Sequence, residues 1–110
     1  MKILLFAEPL PELVLSWKKM VTWRVEDTRW IVVGDELSLW YNDGKEFAQA
    51  IAIRVKETTF WELTEEDFIG HEKFTSEEEM YKRYSEYYHK EIMPKTRIKI
   101  IEFKLTKINK

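Results

Sequence analysis

Residues Lys18-Lys19-Met20-Val21-Thr22-Trp23-Arg24 put two ammonium groups, a hydroxyl and a guanidinium within the length of one turn and one short strand. A hydroxyl within reach of a desolvated amine can act as a nucleophile, the amine taking its proton. A lysine in a partly buried cleft can also contact an oxyanion or a phosphate, and a guanidinium fork can grip a phosphate or a carboxylate. If Val21 to Val25 is extended, side chains alternate across the strand. Met20, Thr22 and Arg24 then share one face, which reads as site, while Val21, Trp23 and Val25 share the other, which reads as core.

Each of these residues also has a plainer reading. Two lysines after a helix ordinarily stay solvated and complement the negative helix end, and this is the stronger reading for Lys18. Threonine is a good strand former without any chemistry, and Arg24 could pair internally with Glu26 or Asp35.

The elements that must position this stretch follow from local signals. Ile3 to Phe6 reads as a first strand, and Pro9 and Pro11 favour entry into a short helix from about Pro11 to Trp17, with Leu10, Leu13, Val14 and Trp17 at helical spacing. Gly34-Asp35 marks a turn, and Leu37, Leu39 and Tyr41 alternate with Ser38 and Trp40. Asn42-Asp43-Gly44 signals a hairpin, after which Phe47, Gln49, Ile51, Ile53 and Val55 fall on one face. Thr64 and Asp67 predict a capped short helix broken by Gly70. Ser76 with Glu79 caps the longest helix, whose Met80, Tyr84, Tyr87 and Tyr88 form an apolar stripe read as core packing. Arg97 to Leu105 alternates as a final strand, and a bulge at Ile100-Ile101 would bring Ile98 and Ile100 into phase with Ile101, Phe103 and Leu105. Strands separated by unequal helices, with a hairpin in the middle, do not suit a regular βαβ array. They predict a mainly β chain with some helix: a small curved mixed sheet or barrel with helices on its rim.

Composition narrows the function classes. The chain has 110 residues, one domain's worth, and 45% are hydrophobic, which is ample for a core. Cysteine is absent, so thiolate nucleophiles, disulfides and Cys-ligated zinc are excluded, and with only His71 and His89 no metal site or cofactor is expected. Charged residues reach 35% yet nearly cancel to a net charge of −2, which fits a surface laced with ion pairs and weighs against coating a nucleic-acid duplex. No apolar run approaches a membrane span and the first residues form no signal peptide, so a soluble, cytoplasmic monomer that does not bind membranes is the expectation.

The Trp17 to Arg24 stretch resembles the signature of the ASCH domains (activating-signal-cointegrator homology, relatives of the PUA RNA-binding fold), which runs G-x-K-x-x-E-x-R. Lys19 and Arg24 stand at the motif's Lys and Arg, whereas Trp17 stands at its Gly and Thr22 at its Glu. The later V-G-D-E-L-S-L-W run, the L-T-E-E-D-F segment, the acidic helix start and the I-I-E-F-K-L strand follow the family's order over nearly the whole chain. The resemblance implies a single PUA-like pseudo-barrel over residues 1–110. It further implies a cleft that receives RNA or a modified, nucleoside-like ligand through Lys18, Lys19 and Arg24. A ring at Trp17, where the family's backbone approaches its ligand, would narrow that cleft or offer a stacking surface.

Threonine at the Glu position gives K-x-x-T-x-R, which resembles the small ASCH amidohydrolases that deacetylate N4-acetylcytidine. By that resemblance Lys19 and Thr22 would be catalytic, with Glu72, beyond Gly70, as the downstream carboxylate; alternatively Glu72 belongs to the acidic helix entry with Glu77, Glu78 and Glu79. His71 beside it could be a polar contact, although a lone loop histidine reads first as a surface residue. The readings that stand are a binding module for RNA or a nucleoside-like ligand, an N4-acetylcytidine amidohydrolase, and a protein-interaction domain with a vestigial cleft.

Overall fold

The computed structural model describes residues 1–71 and 73–109. The strands are β1 (Lys2–Phe6), β2 (Val21–Val25), β3 (Glu36–Tyr41), β4 (Glu46–Thr59) and β5 (Arg97–Ile108). The helices are α1 (Leu10–Leu15), α2 (Glu65–Phe68) and α3 (Glu77–Tyr88), with a single 3-10 turn at Phe60–Glu62.

All five strands form one sheet in the order β1-β3-β4-β5-β2, in which β1 runs parallel to β3 and every other pair is antiparallel. The sheet curls into a half-barrel of mixed strands with a few helices, the PUA-like architecture expected. The hairpin between β3 and β4 turns through Asn42-Asp43-Gly44, where Gly44 takes φ 98°, a value that glycine adopts without steric cost. Both predicted helix caps form. Thr64 and Asp67 bond reciprocally at the start of α2, and Ser76 Oγ accepts from Glu79 N at 3.1 Å at the start of α3.

Two apolar clusters lie on opposite sides of the sheet. Leu4, Phe6, Leu37, Leu39, Ala48, Ala50, Ala52, Ile101, Phe103 and Leu105 fill the concave interior, while Val21, Trp23, Ile98 and Ile100 pack outward against Phe60 and, from α3, Met80 and Tyr84. The final strand therefore needs no bulge at Ile100-Ile101. Its register against β2 and β4 runs unbroken through both residues, because Ile98 and Ile100 serve one core and Ile101, Phe103 and Leu105 the other.

The bulges fall elsewhere. Leu39 pairs with Ala48 but Trp40 with Glu46, leaving Phe47 as an extra residue; Ala52 pairs with Phe103 but Arg54 with Glu102, leaving Ile53; Gln49 pairs with Lys107 but Ala50 with Leu105, leaving Thr106. Two of these shifts split the face expected to hold Phe47, Gln49, Ile51, Ile53 and Val55. Phe47 and Val55 reach the interior, whereas Gln49, Ile51 and Ile53 do not and three alanines take their place. Small side chains suit an interior already filled by Phe6, Phe47 and Phe103 rings.

Helix α1 is shorter than its periodicity predicts and stops before Trp17. Trp17 N bonds to Val14 O and Lys18 N to Leu13 O, the paired closing bonds of a left-handed helix stop, and Trp17 has φ 64°. That conformation is the one glycine favours, so the position where the family motif carries Gly keeps the glycine backbone while bearing an indole.

Candidate functional site

Strand β2 is an edge of the sheet, and beside it opens a cavity of about 290 Å3 that residues from both of its faces reach. Lys19, Thr22, Trp23 and Arg24 line it from β2 and its approach, Leu5, Ala7, Leu10 and Asn42 from the β1 side, and Tyr84, Tyr87 and Tyr88 from α3. Lys19, Thr22 and Arg24, picked out by residue type and spacing, thus share one cavity. Its volume lies at the small end of the range for small-molecule sites.

Lys19 is buried to 1% exposure, and its Nζ donates to Val21 O at 2.8 Å. Thr22 is also buried, and its Oγ1 accepts from Arg24 Nε at 3.1 Å. Arg24 Nη1 donates to Leu5 O at 2.7 Å, and its guanidinium carbon lies 4.6 Å from the centre of the Phe6 ring. Neither Glu26 nor Asp35 pairs with it: Glu26 binds Lys90, and Asp35 binds Lys2 at 2.5 Å. Burial pulls the Arg24 pKa below its ordinary value, opposed by Tyr88 and Tyr84. A guanidinium donating to a hydroxyl oxygen favours the alkoxide over the alcohol, so the Arg24–Thr22 bond is suited to a reactive hydroxyl as well as to ligand binding.

The other expected contacts do not join this group. Lys18 is exposed, and Trp17, at 57% exposure, is not among the cavity's lining residues. Both follow from the left-handed stop, which turns the chain away at Trp17 and brings it back at Lys19. Glu72 lies outside the described residues.

His71 is not a surface residue. It is buried, its ring stacks on Trp23 with centroids 3.9 Å apart, and its Nε2 lies 3.0 Å from Tyr84 Oη. The loop is strapped to β2 because Gly70 O accepts from both Met20 N (2.6 Å) and Val21 N (3.1 Å), and Gly70 itself has φ 79°. The tyrosines of α3 are the residues that sequence reasoning left out of the site. Tyr84 packs in the outer core as expected, yet it lines the cavity as well, and Tyr88 Oη accepts from Val25 N at 3.2 Å, serving an edge amide of β2. Tyrosine, rather than leucine or phenylalanine, at three of four stripe positions was the available signal, since a buried ring with a hydroxyl needs a polar neighbour.

A larger groove of about 790 Å3 runs beneath residues 26–33 and includes Trp30, Val33, Arg97 and Lys99. It contains none of Lys19, Thr22 or Arg24. Two of its three cations are internally engaged, for Lys99 donates to Arg29 O and Arg29 pairs with Asp27 at 2.7 Å, while Arg97 is exposed. Among the described residues no cluster of three His, Asp or Glu is placed to hold a metal, and no helix is long and apolar enough to cross a membrane.

No family model matches the chain, and no curated protein matches it. Solved structures do. An Enterococcus faecalis protein of the DUF984 family superposes with a TM-score of 0.74 at 16% identity, over 91% of this chain and 71% of that one. An ASCH domain from Lactobacillus crispatus gives 0.67 at 14% identity, over 87% and 69%. A tyrosine-to-phenylalanine variant of the Zymomonas mobilis ASCH protein gives 0.61 at 13% identity, over 97% and 73%. At these identities the likeness is one of fold, and it spans nearly the whole chain: this protein has the fold of the ASCH domains.

Proposed function

We propose that the protein binds a nucleoside-like ligand, free or within RNA, in the cavity lined by Lys19, Thr22 and Arg24. One observation carries the reading: a buried amine, a hydroxyl and a guanidinium share a small cavity with the rings of Tyr84, Tyr87 and Tyr88. Polar groups can address the edge of a base while aromatic rings cover its face, which is how single unstacked bases are recognised. A net charge of −2 supports one extruded base or small ligand rather than a duplex.

Titration of ribonucleosides, N4-acetylcytidine and short RNAs at low and moderate salt tests this. Thr22→Val keeps the shape but removes the hydroxyl, and Tyr87→Ala removes a ring from a partly exposed helix position; each is expected to weaken binding by about tenfold. Equal affinity in wild type and both variants would sink the reading.

A second reading is supported by the Arg24 Nε bond to Thr22 Oγ1 and by the presence of Lys19 in the same cavity. In an amidohydrolase of N4-acylated cytidine, Thr22 Oγ1 would attack the acyl carbon as Lys19, in the role of general base, takes the hydroxyl proton. The C–N bond breaks, the amine leaves protonated, and water then hydrolyses the acyl-threonine to free acid. Glu72 would supply the leaving-group proton in the resemblance on which this reading rests.

A further inference from the structure

The cavity does not end at Arg24. It shares Leu5, Arg24 and Asn42 with a shallower depression of about 610 Å3, to which Ile3, Arg29, Trp40 and Gly44 also contribute. Ile3 and Leu5 are exposed there, and Leu5 pairs with Trp40 across β1 and β3, so an aliphatic and an aromatic side chain lie side by side facing solvent.

Trp40 is partly exposed yet held in place. Its Nε1 donates to Ser38 Oγ at 2.6 Å, and Ser38 donates onward to the Glu46 carboxylate. Glu46 also accepts from Asn109 Nδ2 at 2.8 Å and from Gln49. A ring fixed by a polar chain loses little freedom when a ligand covers it. At the junction of the two hollows stands Arg24, which has no ion pair with a carboxylate among the described residues. Arg29, by contrast, is committed to Asp27 through Nε and Nη2 and to Ile3 O through Nη1 at 2.5 Å.

We propose that the site takes its nucleoside as part of single-stranded RNA, with the phosphodiester at Arg24 and the neighbouring base stacked on Trp40. The inference rests on the reading of the inner cavity as a nucleoside site. An anionic link between two flat rings is the repeating pattern of a nucleotide strand, and stacking on an indole tolerates any base.

The test compares the four ribonucleosides and N4-acetylcytidine with dinucleoside monophosphates that carry adenosine on either side of the same nucleoside. The best dinucleoside monophosphate is expected to bind about tenfold or more tightly than its parent nucleoside at low salt. That gain is expected to fall as salt rises, with a log–log slope of about −0.7 for one phosphate contact. Trp40→Ala should remove the stacking share of that gain, lowering the ratio severalfold and leaving only the part that falls with salt, and Trp40→Phe, which keeps a ring, should retain most of it. A ratio of one in wild type overturns the proposal, as does a ratio that Trp40→Ala leaves unchanged. Nucleoside binding without a gain removes only this extension, whereas no binding by any probe removes the inner-cavity reading and the extension with it.

Discussion

Arg24 Nη1 donates to Leu5 O at 2.7 Å, and through that bond a side chain of β2 reaches the main chain of β1, the two edges of a five-stranded sheet. Edge strands expose unpaired main-chain groups. The guanidinium covers one of them, stacks near Phe6 and holds Thr22 in the same gesture. The motif arginine is thus both a clasp of the half-barrel and a wall of the candidate site.

Arg24→Lys is expected to destabilise the protein by about 1.5–3 kcal/mol, the usual cost of losing hydrogen bonds from a charged donor. A single ammonium cannot serve Thr22 Oγ1 and Leu5 O with the geometry of a fork. Urea denaturation measures this as a lower midpoint at an unchanged slope, and an unaltered midpoint would mean that the clasp contributes nothing.

Trp17→Gly is expected to stabilise the fold by about 1 kcal/mol, because a non-glycine residue at φ 64° carries a left-handed backbone cost of that order. The exposed indole gives up little packing in return. Thermal unfolding tests it, and a lower Tm would show that the ring makes contacts that outweigh the backbone cost.

The clasp, the helix stop and the site were legible to different degrees. The two caps and the hairpin depend on neighbouring residues, and Ser76, Thr64 and Asn42-Asp43-Gly44 announce them directly. Alternation placed Thr22 and Arg24 together on one face for the same reason. The Ala48, Ala50 and Ala52 face was hidden by bulges at Phe47 and Ile53 that only pairing with β3 and β5 determines. His71 and the α3 tyrosines were missed because their neighbours are remote in sequence: Trp23 stacks on His71 from β2, and Val25 N meets Tyr88 Oη across the molecule.

Asp67 sets a pH dependence. Burial raises its pKa, but hydrogen bonds from Thr64 N, Arg54, Lys56 and Thr64 Oγ1 outweigh this and bring the carboxyl from 3.8 to about 2. A folded-state value below the unfolded one means that the contribution is complete above about pH 4 and is lost as pH falls toward 2. The linked contribution is about 2 kcal/mol. Asp67→Asn should be less stable than wild type at neutral pH, and its stability should fall less steeply between pH 4 and 2. Parallel pH profiles in the two proteins would contradict the assignment.

Incubation with N4-acetylcytidine examines the acyl-transfer reading. Release of cytidine and acetate is expected to vanish in Thr22→Ala, and Lys19→Ala should lower the rate by about 100-fold or more, as loss of a general base does. Full activity in Thr22→Ala, or no hydrolysis above background in wild type, would leave binding as the function.

Amide and methyl chemical-shift mapping with the tightest-binding nucleoside locates the ligand without assuming a reaction. Saturable shifts are expected to centre on Thr22, Arg24, Tyr84, Tyr87 and Tyr88, with residues 28–33 of the larger groove unaffected. Shifts centred on Trp30 and Lys99 instead, or none at millimolar ligand, would rule out the cavity beside β2 as a nucleoside site.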